Sequence, residues 1–155
     1  DRRSGRTPTS RTGPEGAHSG DWYYYTETSS RPSGQLYDLV YTCPHGSNAE
    51  ISWWYHMHGS SIGTLRLKDG VDAVVWSKSG AQGESWQNAS AIVSTRSFTF
   101  QAERGGSYRG DIAIDDIREV LRSIDWTESK AYRQKLTTPS EDSELTPGTR
   151  REYTT

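Results

Sequence analysis

A chain of 155 residues with 31% hydrophobic residues and a net charge of −2 has room for one domain with a real core and not for two. Its 18 basic residues are dispersed among 20 acidic ones, which excludes a phosphate-tracking nucleic-acid surface and a polybasic membrane patch. No run of about 18 apolar residues occurs, so no segment is expected to insert directly into a membrane, and the single cysteine excludes an internal disulfide framework and a multi-thiolate zinc site.

In chain order, residues 1–20 (DRRSGRTPTSRTGPEGAHSG) carry Gly, Pro, Ser and Thr throughout without apolar periodicity, and predict irregular chain. WYYYTE then favours a strand, with Tyr23 and Tyr25 on one side and Trp22 and Tyr24 on the other, the pattern of a strand buried on both faces. After the turn cluster SSRPSG, QLYDLVYT alternates with Tyr37, Leu39 and Tyr41 on one side. ISWWYHM places Ile51, Trp53, Tyr55 and Met57 on one face and Ser52, Trp54, His56 and His58 on the other, as in a half-buried strand.

TLRLK alternates again, and the Asp69-Gly70 dipeptide predicts a type I′ hairpin leading into VDAVVW. A Gly-rich loop, SKSGAQGESW, is followed by the strand candidates ASAIVST, SFTFQAE with Phe98 and Phe100 inward, and GDIAIDDI with Ile112 and Ile114 inward. Seven or eight short strands without helical period predict an all-β antiparallel sandwich over residues 1–117. From Ile117 the spacing of Ile117, Val120, Leu121 and Ile124 predicts a short amphipathic helix, after which residues to 155 read as a polar, disordered tail. With Asp1 leading directly into polar sequence, the chain reads as a soluble piece of something longer.

Several groupings invite a chemical reading. His56 and His58 share a strand face, a spacing that metal sites use, with hydrogen-bonded sheet histidines as the alternative. Asp111, Asp115 and Asp116 bracket the last strand; with Glu27 at the end of another, Asp111 and Asp116 form a candidate oxygen-ligand set for calcium or a similar hard cation. Solvated strand ends explain the same residues without an ion. Arg109-Gly110-Asp111 spells a tripeptide that integrins read on exposed loops, and Asn88-Ala89-Ser90 is an N-glycosylation sequon. Cys43 precedes Pro44 and His45, but adjacency in sequence is not nucleophile geometry, and no catalytic fingerprint occurs, so an enzyme is not expected.

Five ordered motifs carry a family resemblance over about Gly5 to Ile117. TPTSRTGPEGAH, YYYTETSS, WWYHMHGSSIGTLRL, WSKSGAQGESWQNA and GDIAIDDI each resemble a segment of the MAM domain, the extracellular module of meprins, neuropilins and type IIB receptor protein tyrosine phosphatases. The resemblance implies a jelly-roll-like β-sandwich that serves adhesion and recognition without catalysis, with structural histidines on the aromatic strand. It implies an extracellular location, in a secreted or single-pass membrane protein, and a partner that is an extracellular or cell-surface protein, including a second copy. No cofactor is required, with structural calcium as the one candidate. A carbohydrate-binding sandwich and an accessory module of an extracellular protease are the alternatives.

The departures also carry expectations. The family's first strand and first two cysteines have no counterpart here, Glu50 stands where its third cysteine belongs, and no cysteine follows GDIAIDDI. Cys43 is thus left unpaired. Bridges contribute about 2–4 kcal/mol each against a total stability of about 5–15 kcal/mol, so a marginally stable domain with an unpaired strand edge is expected. Ala17 replaces the acidic residue usual before the histidine of the Gly-Pro segment.

Overall fold

The computed structural model describes residues 1–43 and 48–120. Its strands are β1 (Arg2–Arg3), β2 (Tyr23–Tyr25), β3 (Leu36–Thr42), β4 (Ala49–Met57), β5 (Thr64–Asp69), β6 (Val74–Ser79), β7 (Gln87–Val93), β8 (Ser97–Glu103) and β9 (Ile112–Val120). They form two antiparallel sheets, one of five strands in the order β1-β2-β9-β4-β7 and one of four in the order β3-β8-β5-β6. The all-β sandwich expected from the alternating pattern is the observed fold.

Alternation decides which side chains meet between the sheets. Ile51, Trp53, Tyr55 and Met57 of β4 and Ile112 and Ile114 of β9 face Leu65 and Leu67 of β5 and Phe98 and Phe100 of β8, all buried. Trp53 is the centre of this core, edge-on to Trp76 at 5.0 Å and to Phe100 at 5.1 Å. Burying a side chain of this size contributes about 1.5–3 kcal/mol, which is why the period-two pattern dominates local preferences.

The structure corrects four expectations. Residues 1–20 are not wholly irregular, because Arg2 and Arg3 pair with Tyr24 and Tyr23 and partly cover the edge of β2. Strand β2 is buried on one face only: Tyr23 and Tyr25 are covered, while Trp22 and Tyr24 remain 49% and 39% exposed. The Asp69-Gly70 turn is longer than a two-residue hairpin, since Val71, Asp72 and Ala73 belong to it. Asp69 Oδ1 accepts the N–H groups of Val71 and Ala73 at 3.1 and 3.0 Å, and the left-handed residue is Asp72, with φ 68°. Finally, the helix expected from Ile117 is absent through Val120, where β9 continues and pairs Ser52 with Arg118 and Glu50 with Val120. Cross-strand pairing there outweighs a four-residue helical spacing. Pro44, His45, Leu121, Ile124 and the expected tail lie outside the described residues.

A bulge in β9 places the functional surface. Register shifts between Ser52 and Trp54, so that Asp116 and Ile117 together oppose Trp53, and Asp116 takes a φ of 48°. Consecutive residues of a regular strand point to opposite faces. Here the extra residue lets Asp115 and Asp116 both reach the outer face, while Ile117 packs toward the core.

Candidate functional site

The outer face of the five-stranded sheet carries a second apolar cluster, built by the N-terminal segment folding across it. Tyr23, Tyr25 and Ala113 are buried there with Ala17 and Trp86 against them. The segment is pinned at several points: Tyr23 donates its hydroxyl to Gly5 O at 2.7 Å, Gly13 N to His58 O at 3.0 Å, and Trp86 Nε1 to Gly16 O at 3.2 Å. Ala17 thus occupies an apolar contact, which accounts for a small side chain at the position where the family resemblance led one to look for an acid.

His18 is the anchor of this segment, and sequence reasoning missed it. Its ring stacks on Trp54 at 3.7 Å with the planes 14° apart, its Nδ1 meets Asp116 Oδ2 at 2.7 Å, and its backbone N–H donates to Asp115 Oδ2 at 2.8 Å. Ser19 Oγ donates to Asp116 Oδ1 at 2.7 Å. These hydrogen bonds from His18 and Ser19 hold the Asp116 carboxyl below the usual carboxylate range. Nothing in spacing links residues 98 positions apart; the only sequence signal was the ordered motif that contains His18.

His56 and His58 do not converge on a common point. His56 is buried, shares its Nε2 with the Glu84 carbonyl at 2.9 Å, and is kept neutral to lower pH than a free imidazole by burial. The His58 Nε2 lies 3.8 Å from Glu84 Oε1, and the two imidazoles sit 6.3 Å apart edge to face. Among the described residues, no three His, Cys, Asp or Glu side chains are grouped to hold a metal ion.

The set Glu27, Asp111 and Asp116 is likewise divided. Asp116 is committed to His18 and Ser19 on the outer face. Asp111 sits at the other end of its segment, fully buried, where Oδ1 accepts the Thr28 N–H at 3.2 Å and the Thr28 hydroxyl at 2.8 Å. Burial is the main cause that pushes its carboxyl up to about 6, and the nearby Glu27 carboxylate adds to it. Asp111 Oδ2 is buried without a hydrogen-bond partner, and Glu27 accepts the Ser29 N–H at 2.9 Å. Arg104, a buried cation the sequence did not single out, donates Nε to Thr28 O at 2.8 Å and completes the loop around Asp111.

One further expectation is corrected by burial. Arg109-Gly110-Asp111 is not a presented tripeptide, because Gly110 is buried and the Asp111 carboxylate, which a receptor would need, is inside the fold. Cys43 follows β3 directly and is buried in the core, where burial raises its pKa. Asn88, by contrast, is exposed on β7, the outermost strand of its sheet.

The β1–β2 edge has a different character. Tyr24 pairs with Ile114, so Trp22 and Tyr24 share the face that elsewhere in this sheet is core. The four-stranded sheet covers them only in part. The Arg2 guanidinium lies 4.7 Å over the Trp22 ring, and Tyr41 of β3 faces Tyr24, its phenol pushed up to about 12 chiefly by burial. Between β2 and β3 a small cleft of about 100 Å³ opens onto Leu65, Phe100, Ile112 and Ile114.

The model of the "MAM domain, meprin/A5/mu" family matches residues 1–124. The mouse MAM domain-containing protein 2 is 36% identical over 129 residues, covering 76% of this chain and 19% of that protein. Human neuropilin-1 is 33% identical over 122 residues, covering 70% and 13%. The chicken MAM domain-containing glycosylphosphatidylinositol anchor protein 1 is 36% identical over 131 residues, again covering 70% and 13%. The chain therefore spans less than a fifth of the length of these curated relatives.

Proposed function

The chain belongs to the MAM domain family, and from that premise we propose that it is a non-catalytic extracellular recognition module that binds another protein, including a second copy of itself. The observation that carries the reading is the half-exposed aromatic edge. Trp22 and Tyr24 stand on the core-facing side of their sheet, yet are 49% and 39% exposed, with Arg2 against the indole. Trp, Tyr and Arg are the residues most enriched where binding energy concentrates. The sequon at Asn88 and a relative named for a glycosylphosphatidylinositol anchor support the extracellular location, in a secreted or membrane-anchored parent.

Sedimentation velocity over a concentration range tests the reading. The chain is expected to form a compact dimer that Trp22→Ser weakens about tenfold or more, the equivalent of one interface aromatic. Concentration-independent sedimentation, together with equal retention of wild type and Trp22→Ser on immobilised neuropilin-1 and MAM domain-containing protein 2, would overturn it.

A cation at Glu27 and Asp111 is a second component of the proposal, favoured by the buried and unpartnered Asp111 Oδ2 beside a second carboxylate. Calcium accepts carboxylate and backbone oxygens together, and would satisfy that orphaned acceptor. Asp116 is not part of this set. Calcium is expected to raise the melting temperature of the wild type and not of Glu27→Gln; an equal effect on both would retire the site.

A further inference from the structure

The outer-face groove beside Trp54 has no role in the edge just described. Trp54 and Asn88 are directly paired across β4 and β7, so their side chains leave the same face of the sheet with Cβ atoms about 4.5–5.5 Å apart. Ser52 and Ser90 are the next pair on that face. With Asp116 and Arg118, these residues line an open groove that reaches from His18 to Asn88.

We infer that this groove is the seat of the protein's own Asn88-linked glycan, whose first N-acetylglucosamine residues lie along Trp54; the inference rests on the extracellular reading. An indole presents a negative π face to the C–H groups of a pyranose ring. His18 stacks on the indole and is itself fixed by Asp116 and Asp115, so Trp54 is held in one orientation before any sugar arrives. The Ser52 hydroxyl and the Arg118 guanidinium supply donors, and the oxygens of Ser52, Ser90 and Asp116 supply acceptor lone pairs, for sugar hydroxyl and acetamido groups. Ser90 is at once the sequon residue and a groove wall, donating to Glu50 Oε1 at 2.9 Å.

A mobile glycan would gain little from the protein; one tethered within a Cβ–Cβ pair of its platform meets it at high effective concentration. Seated there, it also covers the outermost strand β7, whose free backbone edge would otherwise invite strand addition.

The test uses the 155-residue chain secreted from cells that add N-glycans. Intact mass reads occupancy of Asn88, and proton spectra read the N-acetyl methyl groups. An occupied Asn88 with one N-acetyl methyl displaced upfield by the indole ring current, and close in space to Trp54 protons, is the expected result. In Trp54→Leu the displacement should vanish while occupancy stays. Trimming to a single N-acetylglucosamine should keep most of the gain in melting temperature, and the gain over Asn88→Gln should be about 2–4 °C in the Trp54 background alone. Should Trp54→Leu not fold, the wild-type spectrum still decides. An occupied Asn88 with undisplaced methyl groups overturns the inference alone. An unoccupied Asn88 overturns it too and leaves the extracellular reading standing, because a sequon permits a glycan without requiring one.

Discussion

Gly63→Ala is expected to destabilise the domain by about 2–4 kcal/mol, whereas Gly106→Ala, a few residues away in the facing loop, should change it by less than about 0.5 kcal/mol. An alanine Cβ at 63 would stand 2.7 Å from the Gly105 nitrogen and closer still to the Glu103 carbonyl oxygen, where ordinary contact is 3.4–4 Å. The neighbours are backbone, so no rotamer change relieves the clash. At position 106 the same methyl meets nothing within 4 Å. Neither glycine has a φ in the left-handed range, so the comparison isolates the contact from backbone conformation. Relief at Gly63 requires parting β5 from β8 where Thr64 pairs with Glu103, next to the Arg104 side chain that borders Asp111. Urea unfolding of both variants checks the difference. Equal midpoints within about 0.5 kcal/mol would mean that the two loops are not in the close contact described.

Removing His18 by substitution with Ala loses the Trp54 stack and the Asp116 hydrogen bond together, and should cost about 1–3 kcal/mol by chemical denaturation. Asp116, held below its ordinary range by His18 and Ser19, contributes stability present above the unfolded-state pKa of about 3.9 and lost as pH falls through its folded value; Asp116→Asn should flatten that acid limb. His56 acts in a higher window: its folded pKa is below the unfolded value of about 6.5, so stability is full above that pH and declines as pH falls from there toward the folded value. A stability profile between pH 7.5 and 5 should lose that slope in His56→Gln. With its one cysteine in the core and unbonded, the isolated chain should melt reversibly below about 60 °C by calorimetry.

The sheet core was legible because period two at Ile51, Trp53, Tyr55 and Met57, and at Phe98 and Phe100, reports burial directly. The outer layer was not. Tyr23 and Tyr25 gave the right side but the wrong cover, since the apolar surface they meet comes from Ala17 and Trp86, which carry no period. The helix expected at Ile117 illustrates the same limit: four apolar residues fit a 3.6-residue period, but the pairing of Arg118 with Ser52 and Val120 with Glu50 keeps the chain extended through Val120. Carboxylates were found as residues and misjudged as a group. A strand run such as DIAIDD fixes alternation, not the bulge that turns Asp116 outward to His18 while Asp111 stays buried beside Thr28.

The order β1-β2-β9-β4-β7 puts Asn88 on β7 three strand steps, or about 14 Å, from β2, and on the opposite side of the sheet from Tyr24. Trp22 and Tyr24 face the core side of one edge; Asn88 and Trp54 face outward near the other. A glycan seated on Trp54 would therefore leave the aromatic edge open while blocking strand addition at β7, so that association is channelled to β2. Glycosylated wild type and Asn88→Gln should then dimerise with dissociation constants within about twofold of each other in sedimentation equilibrium, a difference of under about 0.5 kcal/mol. A change of tenfold in either direction would place the glycan inside the interface, and the aromatic edge could not then be the surface that recognises a partner.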